Sequence, residues 1–201
     1  MSHLGLGPAP ITRTIYCNRQ YPPHLWYFCE ETNQTPLPIS EPAVTGYVQA
    51  LRIEKGDSQT PPTYSLLLTL DCGFEGFTLK VGAQSDFAKQ LILVLASLPS
   101  AQLRTQTLTV QPYPGEDESV LGCHVWSGRS RVEPEWPADR NEFKRLLALA
   151  KAHVAEAGLG LGPRSVSPQL PPTPPGARPP IAPPPPAAVP ADLRVSPAAQ
   201  A

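Results

Sequence analysis

The sequence has little of what most catalytic or polyanion-binding chains display. Only 16% of its 201 residues are charged, and 16 Lys and Arg against 17 Asp and Glu leave a formal net charge of −1. A general attraction to polyanions through net charge is thereby excluded, and any basic contact surface has to come from local arrangement. The four cysteines, Cys17, Cys29, Cys72 and Cys123, include no C-x-x-C pair. With His3, His24, His124 and His153 far apart as well, no zinc spacing is present and no metal or other cofactor is expected. Free thiols in a reducing cytoplasm are the plain expectation. The longest apolar run, Leu91 to Ala96, falls well short of the ~20 residues that span a bilayer. The N-terminal MSHLGLGPAP has neither the basic head nor the apolar stretch of an export signal, so no membrane association is expected.

Catalytic signatures are missing too. No GxxxxGK[ST], GxSxG or HExxH occurs. The glycines of Gly158-Leu159-Gly160-Leu161-Gly162 are spaced like a dinucleotide loop, but no strand precedes them, and they read as a helix stop. Cys123 beside His124 has the chemistry of a nucleophile and base. Neighbours on a strand point to opposite faces, however, so the two cannot share a proton. No enzymatic activity is expected.

What the chain does have is proline. Half of its 28 prolines fall between Pro163 and Pro197, in a segment with almost no bulky apolar residues. Such a tail cannot bury enough surface to offset the entropy of ordering it, and its Pro-x-x-Pro spacing favours polyproline II. The reading is a flexible start (1–12), an aromatic extension packing on the main domain (13–43), a main domain (44–128), a linker with an amphipathic helix (129–158) and a disordered proline-rich tail (159–201). Within 13–43, Leu25 to Cys29 reads as a short strand, and Pro36, Pro38 and Pro42 keep the following segment extended, as at a sheet edge. Its aromatics either plug one end of the main domain or, through Trp26 or Tyr27, offer a ring to a flat ligand.

The main domain carries a definite pattern. VTGYVQALRI, YSLLLTLDC and GFTLKVG alternate like strands, SDFAKQLILVLASL is helical, and TQTLTVQPY and SVLGCHVWSG are strand-like again. In the first segment the inward set shifts by one residue, from Val44, Gly46 and Val48 to Leu51 and Ile53, which is what a β-bulge produces. Ser85 can cap the helix, Phe87, Leu91, Val94, Leu95 and Leu98 form its apolar stripe, and Pro99 stops it. Asp139 and Glu142 mark the start of a second amphipathic helix through Phe143, Leu146, Leu147, Ala150 and Val154. Three strands, one helix and two strands make a mainly β fold, a five-stranded OB-fold barrel with a helix between strands three and four, extended by a C-terminal helix and a disordered proline-rich tail.

Thr45-Gly46-Tyr47-Val48, the Gly73-to-Gly76 hairpin, the helix from Asp86 and Leu108-Thr109-Val110 up to an outward Trp126 together resemble an OB-type single-stranded-DNA-binding protein over about half the chain. The bacterial family also joins its barrel to a flexible tail. This chain departs from it in ending Ser196-Pro197-Ala198-Ala199-Gln200-Ala201, without an acidic tip or terminal aromatic. The resemblance implies non-catalytic binding of single-stranded DNA or RNA by aromatic stacking and phosphate contact. Alternation puts Tyr47, Arg52, Phe74, Lys80, Trp126, Arg129 and Arg131 on the outer face for that role. It also implies a homo-oligomer, since several weak copies give useful affinity together. Between Val44 and Gly128, however, five basic residues stand against eight acidic ones, so the cations would have to gather on one face. Two other classes stay open: an adaptor that docks proteins through the barrel and the Pro-rich tail, and an OB domain for a sugar or tRNA.

Overall fold

The structure is a computed structural model that describes residues 12–29, 35–56, 61–73, 75–117, 120–137, 139 and 142–159. Phe74 and the proline-rich tail beyond 159 lie outside these residues. The fold is mainly β, with strands β1 (Thr12–Cys17), β2 (Trp26–Cys29), β3 (Pro36–Pro38), β4 (Val44–Lys55), β5 (Tyr64–Asp71), β6 (Gly76–Gly82), β7 (Leu108–Pro114), β8 (Leu121–Ser127) and β9 (Ser130–Val132). Helix α1 (Asp86–Ser97) and the short α2 (Ser100–Thr105) sit between β6 and β7, and α3 (Glu142–Leu159) closes the described chain. Among the described residues no helix is long and apolar enough to cross a membrane.

The strands form one mixed sheet in the order β3-β2-β1-β6-β5-β4-β7-β8-β9. Its middle follows directly from the sequence. Leu66, Leu68 and Leu70 on β5 are all fully buried, with Leu79 and Val81 of β6 beside them on the same face. Each such burial contributes about 1.5–3 kcal/mol, enough to fix which face of the strand turns inward. The turn from β5 to β6 is tight because Gly73 takes a φ of 96°, and its N–H donates to the Asp71 carboxylate. The expected bulge is present: the β4–β5 register shifts between Val48 and Ala50, leaving Gln49 as the extra residue. β4 pairs with β7 over Val44–Gly46 and with β5 from Tyr47 onward, so this one strand links the two halves of the sheet.

The five-stranded closed barrel expected from the sequence is not what forms. Closing the order β6-β5-β4-β7-β8 would require β6 to pair with β8. Instead β1 lies parallel to β6 from Thr12↔Gly76 to Cys17↔Val81, and β8 pairs with β9. Both edges needed for closure are therefore occupied. Residues 12–38 supply three strands of the sheet itself, ending at β3, where Pro36 and Pro38 lack the N–H groups that an inner strand must donate. Trp26 does not face a ligand: it lies in the core with its indole N–H on the Glu41 carbonyl, 3.2 Å away.

Helices fill the core side. Ser85 caps α1 by accepting from the Ala88 N–H, and Phe87, Leu91, Val94 and Leu95 point into the core against β6 and β8. α3 packs on α1, α2 and β4 through Ala150, Val154 and Ala157. Near its end Gly158 lies against the carbonyl of the bulged Gln49, where an added Cβ would sit 3.3 Å from that oxygen.

Candidate nucleic-acid interface

Because side chains alternate, burying one face of the sheet under the helices turns the other outward, and register then decides which outward residues become neighbours. Arg52 of β4 stands opposite Leu67 of β5, and Leu67 stands opposite Lys80 of β6. The two cations are thus two strand spacings apart, about 9.6 Å. Lys80 donates to Glu54 at 3.0 Å, whereas Arg52 is exposed and has no partner among the described residues. Tyr47 is half-buried opposite Asp71, whose carboxylate accepts from Gln49 and from the Gly73 N–H.

Across the β4 corner lies a second group. Thr45, Thr109, Trp126 and Arg131 form one register row over β4, β7, β8 and β9. Trp126 is half-buried, and Arg131 directly opposite reaches His124 Nδ1 at 3.0 Å and Glu133 at 3.1 Å. The His124 ring stacks on Tyr113, with centroids 4.2 Å apart and planes 17° from parallel, and meets Trp126 edge-on. Gln90 of α1 fixes this stack from behind, donating to the Tyr113 hydroxyl at 3.0 Å and accepting from the Cys123 N–H. Arg129 occupies the β8–β9 turn beside Gly128, whose φ of 60° suits a two-residue hairpin loop, and it is exposed. Six of the seven residues singled out from the sequence thus fall in two groups, either side of the corner of β4.

Protonation follows from the same contacts. Burial, and next the Arg131 charge, hold His124 below the ordinary imidazole range, with Glu133 pulling the other way. With Arg131 donating to Nδ1, the neutral ring carries its proton on Nε2. Cys123 faces the core, its Sγ 3.6 Å from the Phe87 carbonyl, and burial pushes its thiol far up. The Cys123–His124 neighbours are therefore on opposite faces and form no dyad. All four cysteines are free, and Cys72 is raised to about 11 by burial and the adjacent Asp71 and Glu75 carboxylates.

Several outward residues were not picked out from sequence. Tyr113 and His124 lie in the second group, and Tyr16 of β1 stands opposite Lys80 in the first. Tyr113 could have been found by continuing the alternation of Leu108 and Val110. The position of Tyr16 depends on the parallel β1–β6 pairing, which no local pattern reveals. No family model, no curated protein and no solved structure matches the chain.

Proposed function

We propose that this chain binds single-stranded nucleic acid, without catalysis, on the outward face of its sheet. The element order supports the reading: β4, β5, β6, α1, β7 and β8 follow the strand, strand, strand, helix, strand, strand order of an OB-fold, with β4 paired to both β5 and β7, in a sheet that does not close. The observation that carries it is Trp126, turned away from the core, directly opposite an arginine and flanked by the His124–Tyr113 stack. An unpaired strand requires rings for its bases and cations for its phosphates, and both occur here. Three carboxylates near this face are engaged: Glu54 with Lys80, Glu133 with Arg131, and Asp71 with Gln49 and Gly73.

The test is titration of labelled oligo-dT with the full chain over a salt series. Four phosphate contacts, from Arg52, Lys80, Arg129 and Arg131, give a log–log slope of about −2.8, a loss of roughly 50-fold between 50 and 200 mM salt. Trp126→Ala should remove a stack worth ~1–3 kcal/mol, or about 5- to 150-fold in affinity. No binding at micromolar strand overturns the reading.

One observation favours a second reading, a protein-docking adaptor. On the helix side a groove of about 1050 Å³ runs between the ends of β4 and β5, α1 and the start of α3, lined by Ile53, Tyr64, Ile92, Trp136, Phe143 and Leu147. Trp136 and Tyr64 there are 50% and 46% exposed. Trp136 also borders the cavity beside His124 and Arg131, whereas Phe143 lines only the groove, so Phe143→Ala should leave oligonucleotide affinity unchanged under the first reading and abolish partner capture under the second.

A further inference from the structure

The strands that keep the sheet open also widen its outward face, and what they place there is aromatic. In register, Tyr27 of β2, Tyr16 of β1, Lys80, Leu67 and Arg52 form one continuous row across five strands. At about 4.8 Å per strand the row is about 19 Å long.

The two tyrosines are not equivalent. Tyr27 is only 5% exposed, its hydroxyl bonded to Asn18 at 3.0 Å and Gln20 at 3.4 Å, with Tyr21 packed edge-on against its ring. It is a fixed wall. Tyr16 stacks on that wall at 5.6 Å, with planes 11° from parallel, and because β1 lies between β2 and β6 its other ring face points toward Lys80. Lys80 does not lie over that face, since its ammonium reaches the opposite way, across β5, to Glu54 on β4. The Tyr16 side chain is half-buried and its hydroxyl has no hydrogen-bond partner among the described residues. Leu67 fits the same row. It is an outward, half-buried leucine on a strand whose inner face is already complete.

We propose that the free face of Tyr16 is a base-stacking subsite, and that β1 and β2 extend the bound strand beyond the β4–β6 surface. This rests on the single-strand reading above. A ring, a cation, an apolar side chain and a second cation in line present a stacking surface, a phosphate contact, a contact for sugar or base edge, and another phosphate contact. A nucleic-acid strand is favoured over a protein strand as occupant because the row runs at right angles to the β-strands and follows a ring with two cations spaced by one leucine.

The experiment compares a short oligo-dT of about 5 nucleotides with one of about 16, the range covered by single OB-type sites. Tyr16→Ala should leave the short strand's affinity unchanged and weaken the long one by about 5- to 150-fold, the equivalent of one stack. Tyr16→Phe should bind both as the parent does, because the ring acts and not the hydroxyl. Should Tyr16→Ala lower the melting temperature enough to release β1, Tyr16→Leu supplies the same comparison with an apolar residue in place. If the long strand is unaffected by Tyr16→Ala or Tyr16→Leu while Trp126→Ala still weakens it, the subsite is wrong and the single-strand reading stands. Equal losses for both lengths, or a Tyr16→Phe loss as large as that of Tyr16→Ala, also overturn the subsite. If neither length binds the parent chain, the broader reading fails first.

Discussion

Glu54 offers a test by gain of affinity, which misfolding cannot imitate. Its carboxylate lies on the outward face and holds the Lys80 ammonium at 3.0 Å, with side chains 34% exposed for the lysine and 55% for the glutamate. Replacing it with glutamine removes one like charge facing the phosphate that Lys80 contacts. A carboxylate about 8 Å from a phosphate costs ~0.5 kcal/mol in water and ~2 kcal/mol at the effective dielectric near a protein surface. Only this repulsion is removed, and because the screening length falls from about 14 Å at 50 mM salt to about 4 Å at 500 mM, the gain is nearly abolished at the higher salt. Glu54→Gln should therefore bind oligo-dT about five-fold more tightly at 50 mM salt and no better than the parent at 500 mM. An exposed ion pair contributes only ~0–1 kcal/mol, so the melting temperature should fall by no more than about 3 °C. Fluorescence anisotropy at several salt concentrations reads the first effect and differential scanning calorimetry the second. An unchanged or weaker affinity at 50 mM, with melting unaltered, would refute placing the strand over Lys80. So would a gain that persists undiminished at 500 mM, since it could not be electrostatic.

Other perturbations probe the scaffold and the His124 cluster. Leu68→Ala, at a fully buried position in the middle of β5, should lower stability by about 2–5 kcal/mol in urea unfolding; a loss under 1 kcal/mol would mean the core is not centred there. Gly46→Ala would bring its Cβ to 2.8 Å from the Asp71 carbonyl oxygen, a backbone atom that cannot swing aside, and should cost about 1–3 kcal/mol by thermal melting; a neutral result argues against the close approach at the corner of β4. For His124, NMR titration should find Arg131→Ala raising the imidazole midpoint and Glu133→Gln lowering it further; the opposite order would refute the contacts drawn around the ring. Because the fold depresses this pKa, the unfolded chain takes up the proton first. The contribution of neutral His124 to stability is therefore present above pH ~6.5 and is lost as pH falls through the lower folded value, a loss that Arg131→Ala should reduce.

Much of the scaffold was legible because it is written in local period and punctuation. The parity change from Val48 to Leu51 located the bulge at Gln49. Ser85, the apolar stripe and Pro99 bracketed α1 to within a residue or two, and Glu142 marked the start of α3. Alternation also gave the correct side for Arg52, Lys80 and Trp126. What stayed hidden is non-local or short. Nothing in Thr12–Cys17 states that it will lie parallel to Gly76–Val81, since that choice is made by which sheet edge is free and not by the strand's own pattern. α2 has no side-chain cap and buries only Leu103, and β9 is three residues long, so neither leaves a periodic trace. The site divides the same way. Single residues were readable one strand at a time, whereas the companions Tyr16, Tyr113 and His124 became neighbours only through strand pairing.

The open sheet makes physical sense once both faces are considered. A closed five-stranded barrel hides its edges but confines the outward surface to five strands. Here β1 satisfies the edge of β6 with a full parallel ladder, and β2 and β3 carry the sheet on to a proline-bearing edge that discourages further pairing. The opening this leaves on the core side is filled by α3, whose Ala150, Val154 and Ala157 are small enough to let the helix lie close on β4 and α1. One helix thus covers the core side while three further strands, about 14 Å of width, extend the face that carries Tyr16, Lys80, Arg52 and, beyond the corner, Trp126. Under the single-strand proposal, a chain with so little positive charge would rely on a long track of single, spaced contacts. Each contact is weak, and affinity then depends on how many of them one flexible ligand can reach together.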